Sequence, residues 1–396
     1  MAQSSCNNGG NDQVLVEERT NVTTFILNRP NQLNALSYQM LPQLLELLHA
    51  SETNSKVKII ILKGNGRAFC AGGDVTSIVN YIDYWLYLGN WKLGADYVRE
   101  EYTLNYVMAT YSKPQVSILN GIVMGGGLGV SVHGRFRVAT EKTVCAMPEA
   151  ALGVFPDVGA SYFYSRLPGF FGEYAGLTGA RFDGAEMLAC GLATHFVPSE
   201  RLTFLEQELV KVNTIDPDVI SAIISHVSNI PKLKAESPYK QVSSFNISVM
   251  VMKIIDRCFS RRTVKEIISS LENEALNNKD DWISSTIQLM KKASPISLKI
   301  TLRSVKGRLQ DVGSCLILEY RMVCHVFRGE FSKDFFKGCR AILIDKDRNP
   351  KWEPSKLELI SDDDVDRYFS KIDDEDWEAL KLPPRSNLPP YAIAKL

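Results

Sequence analysis

The sequence predicts an α/β core followed by a helical C-terminal region, on three observations. Residues 57–62, VKIIIL, run into four consecutive apolar residues, Ile59–Leu62, without alternation, the pattern of a parallel strand covered on both faces. From Val14 to about Pro198 strand-like and helix-like patterns alternate, as in an α/β core. From about Glu200 onward helical patterns dominate. The 396 residues exceed one typical domain and suffice to bury a large core.

Residues 1–12, polar and without periodicity, are expected to be disordered. VTTFILN (22–28) reads as a strand closed by Arg29-Pro30. LPQLLELLHAS (41–51) reads as a helix with Pro42 in its first turn, where a missing N–H is tolerated. The strand at 57–62 runs into a loop and then Ala71-Gly72-Gly73-Asp74. NYIDYWLYLGNWKLGADYVREEY (80–102) is rich in aromatics. It reads equally as a flap over a pocket or as a helix packing its rings on the core. QVSILNGIVM then leads into Gly125-Gly126-Gly127. DGAEMLACG (183–191) has an Asp183 cap, Glu186 three residues on and Gly191 as terminator. In RTVKEIISSLENEALN (262–277), Thr263 and Glu266 form a capping box ahead of an apolar stripe at Ile267, Ile268 and Leu271. SLKITLRSVKGRL (297–309) is a further helix, and the acidic stretch 361–380 a short surface helix or a solvated tail. There is no internal repeat. The expected division is a disordered start (1–12), a core (13–200), a helical region (201–355) and an acidic, proline-rich tail (356–396).

The segment 121–159 concentrates chemistry. Glycines let backbone N–H groups approach a ligand because no side chain intervenes. Two glycine turns, each after an apolar strand, can aim one N–H each at one oxygen, as an oxyanion hole does. Downstream, Glu149 and Asp157 each adjoin a proline in apolar surroundings. Carboxyls so placed hold their protons more tightly and serve as acid, base or nucleophile. Each group also has a plainer use: Glu149 as a helix N-terminal residue, Asp157 as the cap of a turn through Gly159. The glycine triplet lacks the following Gly-Lys-Ser/Thr of a P-loop. No G-x-S-x-G elbow is present.

Several of these motifs carry a resemblance. AFCAGGD (68–74), GIVMGGGLG (121–129) and MPEAALGVFPDVGASYF (147–163) resemble the acyl-CoA-binding core of the crotonase superfamily. REEYTLNY (99–106), SVHGRFRVATE (131–141) and CRAILIDKDRNPKW (339–352) narrow the likeness to the 3-hydroxyisobutyryl-CoA hydrolases, over about Val14 to Trp352. The resemblance implies a spiral core of repeated strand–strand–helix units that binds an acyl-CoA. It implies hydrolysis of a short branched 3-hydroxyacyl-CoA thioester in valine breakdown, with no metal or redox cofactor. It assigns Gly73 and Gly126 to the oxyanion hole, Glu149 as principal catalytic carboxylate and Asp157 as second acid. Gly126, Glu149 and Asp157 would all touch substrate. Glu101 would contact the polar end of the acyl group, although two adjacent glutamates on a helix are ordinarily a solvated face. Lys346 and Arg348 would meet the nucleotide phosphates of coenzyme A or lie free in solvent. Enoyl-CoA hydratases carry a second catalytic glutamate where this chain has Gly129, and a glycine where it has Asp157. That departure disfavours a hydratase or isomerase. An inert acyl-CoA-binding protein would be marked by loss of Glu149 or Asp157, and both are present.

Composition excludes other classes. With 45 basic and 45 acidic residues the net charge is zero, and no basic cluster suggests a nucleic-acid surface. The eight cysteines include no C-x-x-C pair, so they read as thiols in a reducing compartment. The five histidines are too dispersed for a metal site, and no apolar stretch is long enough to span a bilayer. The polar N-terminus does not read as a secretory or mitochondrial presequence. The closing Ala394-Lys395-Leu396 resembles a peroxisomal address read by an import receptor. It follows a proline-rich stretch, LPPRSNLPPYAI, expected to be extended. The expected location is therefore the peroxisome.

Overall fold

The computed structural model describes residues 12–75, 91–234, 237, 248–277, 280–308 and 311–385. The closing tripeptide, the first eleven residues and the aromatic stretch 80–90 lie outside the described residues.

The β-branched runs form two sheets. The first contains β1 (Val14–Arg19), β2 (Val22–Leu27), β3 (Ile59–Gly64), β5 (Gln115–Leu119), β7 (Phe136–Ala139) and β10 (His195–Phe196), in the order β1-β2-β3-β5-β7-β10. β1 and β2 make an antiparallel hairpin with Val14 opposite Leu27. The remaining neighbours are parallel, as with Val22 beside Ile59 and Val116 beside Phe136. The second sheet has the order β4-β6-β8-β9 and is built from short strands: β4 (Ala68–Cys70), β6 (Ile122–Met124), β8 (Val144–Ala146) and β9 (Phe182–Asp183).

The chain thus steps from the first sheet to the second three times, β3 to β4, β5 to β6 and β7 to β8. After each step comes a helix or helical turn: Lys92–Ala109, Gly126–Val132 and the short 3₁₀ turn Glu149–Leu152. Strand, strand, helix is the repeating unit of a spiral α/β fold. Loops at the ends of β4, β6 and β8 fall on the same side of the second sheet, which brings the two glycine turns and Glu149 together.

The predicted burial of β3 on both faces holds. Ile60 and Leu62 pack with the helix Met40–Thr53 through the main core, which includes Met40, Leu41, Leu44 and Leu48. Ile59 and Ile61 face a second core with Val116, Ile118, Phe136 and Val138. That core is covered by Leu205 and Leu209 of the helix Leu202–Val210 and Ile220 and Ile224 of Pro217–Val227. The first two helices past residue 200 therefore serve the sheet directly. Each such apolar side chain contributes roughly 1.5–3 kcal/mol on burial.

The predicted capping boxes form. Asp183 accepts from the Glu186 N–H at 3.0 Å and Glu186 returns the bond to the Asp183 N–H at 2.9 Å. Thr263 and Glu266 make the same exchange at the start of Val264–Asn277. The stretch 297–309 lies largely in the helix Pro295–Lys306. Within 361–380 the surface helix forms, Asp362–Phe369, and the solvated-tail alternative is corrected. Its apolar residues outweigh the exposed acids: Val365, Tyr368, Ile372 and Leu380 are buried. Further on, Arg385 binds Glu52 through two contacts of 2.9 and 3.1 Å and donates to Thr110 Oγ1. The chain is therefore tied to the N-terminal core far along its length. The helix Val312–Arg328 is deeply buried, and its Tyr320 ring meets Tyr102 of Lys92–Ala109 edge-on.

Candidate active site

Two backbone turns meet at the centre. After β4, Gly72 takes φ +102°, a region that L side chains rarely adopt. Leu36 N–H donates to Gly72 O and Asp74 N–H to Leu36 O, at 2.8 and 2.9 Å. Arg29 staples this loop by bonds to Ala35 O and Asp74. After β6, Gly125 takes φ +50° and ψ −122° and Gly126 opens the helix Gly126–Val132. The first N–H groups of a helix have no partner within it. A Cβ added to Gly126 would lie 3.2 Å from Gly73 N, and one added to Gly72 3.6 Å from Gly126 N. The turns thus touch backbone to backbone. Among the described residues neither the Gly73 nor the Gly126 N–H donates a hydrogen bond to another backbone group.

Three carboxyls surround these donors. Tyr97, Glu101 and Asn105 recur every fourth residue on Lys92–Ala109, so one face of that helix meets the glycines. Tyr97 donates to Leu36 O at 2.8 Å and lies against Gly73. Glu101 is only 4% exposed, which rules out the solvated-face reading. Its Oε1 occupies the space a Gly126 side chain would need and has no hydrogen-bond partner among the described residues. Asn105 is fully buried, lies against Gly129, and has both amide atoms unpartnered. Glu149, first residue of its 3₁₀ turn, is buried beside Gly125 with Oε2 unpartnered. Asp157, half-buried, accepts from the Tyr102 hydroxyl at 2.7 Å.

Burial in this setting favours neutral carboxyls. It pushes Glu149 well above the usual carboxylate range, and the charges of Asp157 and Glu101 push it further. Glu101 rises likewise, by burial first and then by Asp157. Asp157 is pushed by burial to about 6, with the Tyr102 hydrogen bond pulling the other way. Of the three, Asp157 gives up its proton most readily.

Asp157 precedes an unusual turn. Val158 has φ +53° and Gly159 φ +87°. His133 Nε2 lies 2.8 Å from Val158 O; burial lowers this imidazole to about 4, so the ring is neutral and its N–H donates. The Glu319 carboxyl accepts from Gly159 and Ser161 on the other side. Val158 fills the space over Gly129: an added Cβ there would come within 2.7 Å of Val158 Cβ. A glutamate at 129, the arrangement of the hydratases, has no room.

The structure brings Gly73, Gly126, Glu101, Glu149 and Asp157 into one cluster. Lys346 and Arg348 sit on the exposed loop after Arg340–Ile344, and among the described residues no hydrogen bond or ion pair joins them to that cluster. Sequence reasoning missed Tyr102, Asn105 and Glu319. Tyr97, Glu101 and Asn105 had a signal in their four-residue spacing. Glu319 had none.

A family model described as enoyl-CoA hydratase/isomerase matches residues 22–369. The 3-hydroxyisobutyryl-CoA hydrolase 1 of Arabidopsis thaliana is 64% identical over 97% of this chain and 98% of its own length. The small ribosomal subunit protein mS47 of the same plant is 43% identical, over 94% and 88%. A solved carnitinyl-CoA dehydratase from Mycobacterium thermoresistibile superposes with a TM-score of 0.81 at 34% identity, covering 94% of this chain and 99% of that one. The chain belongs to the enoyl-CoA hydratase/isomerase family, within its 3-hydroxyisobutyryl-CoA hydrolase group.

Proposed function

We propose that this chain hydrolyses the thioester of 3-hydroxyisobutyryl-CoA, or of a close short branched 3-hydroxyacyl-CoA, to the free acid and CoA in valine catabolism. The observation that carries this reading is the pair of glycine N–H groups enclosed by two buried carboxyls, Glu101 and Glu149, with the half-buried Asp157 beside them. The thioester oxygen lies between the Gly73 and Gly126 N–H groups. As a nucleophile attacks, charge builds on that oxygen and the two fixed donors stabilise it. Glu149 supplies the attack by one of two routes. It adds directly, giving an anhydride that water cleaves, or it takes a proton from the attacking water. Either way Glu149 must be ionised at that moment, while burial keeps it protonated at rest. Asp157, which ionises near 6, accepts that proton and returns one to the departing thiolate. Glu101, with a free oxygen beside Gly126, meets the substrate hydroxyl.

The test is thiol release from a panel of purified acyl-CoA esters. Preferred release from 3-hydroxyisobutyryl-CoA supports the reading. Water addition to a short enoyl-CoA without thiol release marks a hydratase, and neither reaction an inert binder.

For location, we propose that Ala394-Lys395-Leu396 addresses the chain to peroxisomes through the import receptor. The small–basic–leucine pattern supports this, and the Arg385–Glu52 ion pair anchors the chain ahead of it. A fusion labelled at its N-terminus is expected in peroxisomes and, without Leu396, in the cytosol. Unchanged import after that deletion overturns the proposal.

A further inference from the structure

Glu319 stands on the helix Val312–Arg328 with no exposed surface. Among the described residues its hydrogen-bond partners are all in one turn. Oε2 accepts the Gly159 N–H at 2.6 Å, and Oε1 accepts the Ser161 N–H at 2.9 Å and the Ser161 hydroxyl at 2.5 Å. A fully buried carboxyl is costly unless its hydrogen bonds are made. Its neighbours Cys315, Leu316 and Tyr320 are buried too, and a methionine or leucine would fill the same space at lower cost. Packing therefore does not account for a carboxyl here.

The turn it holds needs holding. Val158 is β-branched and adopts a positive φ, a conformation that persists only where surroundings impose it. His133 fixes the Val158 carbonyl from one side, and Glu319 fixes the next N–H from the other. Asp157 is the residue immediately before this clamp, and Tyr102 fixes its carboxylate. With one jaw removed, Val158 and Gly159 relax and the carboxylate moves with them.

We infer that Glu319 is a positioning residue for hydrolysis: by gripping the Gly159 and Ser161 N–H groups it holds the turn that presents Asp157. This rests on the reading of Asp157 as the working acid of the site. The C-terminal helical region thereby supplies part of the active-site geometry.

The test is a double-mutant cycle on the full chain, Glu319→Met against Asp157→Asn, with kcat, KM and product binding by calorimetry. Methionine keeps length and volume and removes both acceptors. A displacement of about 1 Å costs on the order of 10²-fold, so E319M is expected to lower kcat between tenfold and a hundredfold. KM and CoA binding should stay within about threefold. In the D157N background E319M should add less than twofold, because the residue it positions is already disabled. E319Q keeps one acceptor oxygen and should fall between wild type and E319M. If E319M does not fold, the cycle is run with E319Q. Wild-type kcat in folded E319M or E319Q protein, or losses that multiply with D157N, overturn the inference and leave the Asp157 reading standing. Wild-type turnover in D157N alone overturns both.

Discussion

At the scale of the residue, the site is three carboxyls whose proton affinities are set apart by burial and by one another. Glu149→Gln keeps the shape and removes the basic oxygen. It should lower kcat by about 10²–10⁴ with little change in KM, read from steady-state thiol release. Asp157 ionises at about 6, so kcat/KM should fall as pH drops through 6. The Tyr102 hydroxyl favours the ionised form of Asp157. Tyr102→Phe removes that support, so the apparent pKa of the acid limb should rise. The loss should accordingly be larger at pH 6 than at pH 8. A profile unmoved between pH 5 and 9 would sever Tyr102 from Asp157. Much of this was legible: Gly73, Gly126, Glu149 and Asp157 announce themselves by glycines after strands and carboxyls beside prolines. Tyr102 did not, because a tyrosine in a helix usually means packing, and only the fold brings Asp157 to its hydroxyl.

At the scale of the element, periodicity did what it does well. The isoleucine run at β3, the capping boxes and the amphipathic helices were readable because each is a local pattern long enough to repeat. The division of the strands between two sheets was not. β4, β6 and β8 each have three residues, fewer than two periods of a strand. Nor did sequence show that Leu202–Val210 and Pro217–Val227 cover the outer face of the first sheet, since an apolar stripe does not name its partner. Their contribution is open to measurement. Leu205 is fully buried in the second core, away from the glycine turns. Leu205→Ala should destabilise by about 2–5 kcal/mol, seen as a lower denaturation midpoint. The kcat of the folded fraction should be unchanged. A fall in kcat at full folding would mean that these helices reach the site.

At the scale of the whole molecule, buried carboxyls tie stability to pH. Glu319 is raised from its ordinary value to about 8, chiefly by burial, and Glu101 and Glu149 shift the same way. A folded state that holds protons more tightly than the unfolded chain loses stability as pH rises. The contribution of Glu319 is complete below the ordinary carboxylate range and is lost as pH climbs through about 8. Tm should therefore decline from pH 5 to 9, and Glu319→Gln should flatten the decline. A wild-type Tm that rises across that range would contradict the assignment. Activity needs Asp157 ionised and stability favours carboxyls protonated, so the useful window lies between about 6 and 8. The grip of Glu319 on Gly159 also has a consequence in time. Its two ends lie 160 residues apart in the chain. At roughly 5–20 residues per second of synthesis, the ribosome makes the turn after Asp157 about eight to thirty seconds before the residue that steadies it, and the glycine turns earlier still. A nascent chain in that interval carries every reacting group and lacks one jaw of the clamp, so thioester cleavage reaches its full rate only once the late helix has docked.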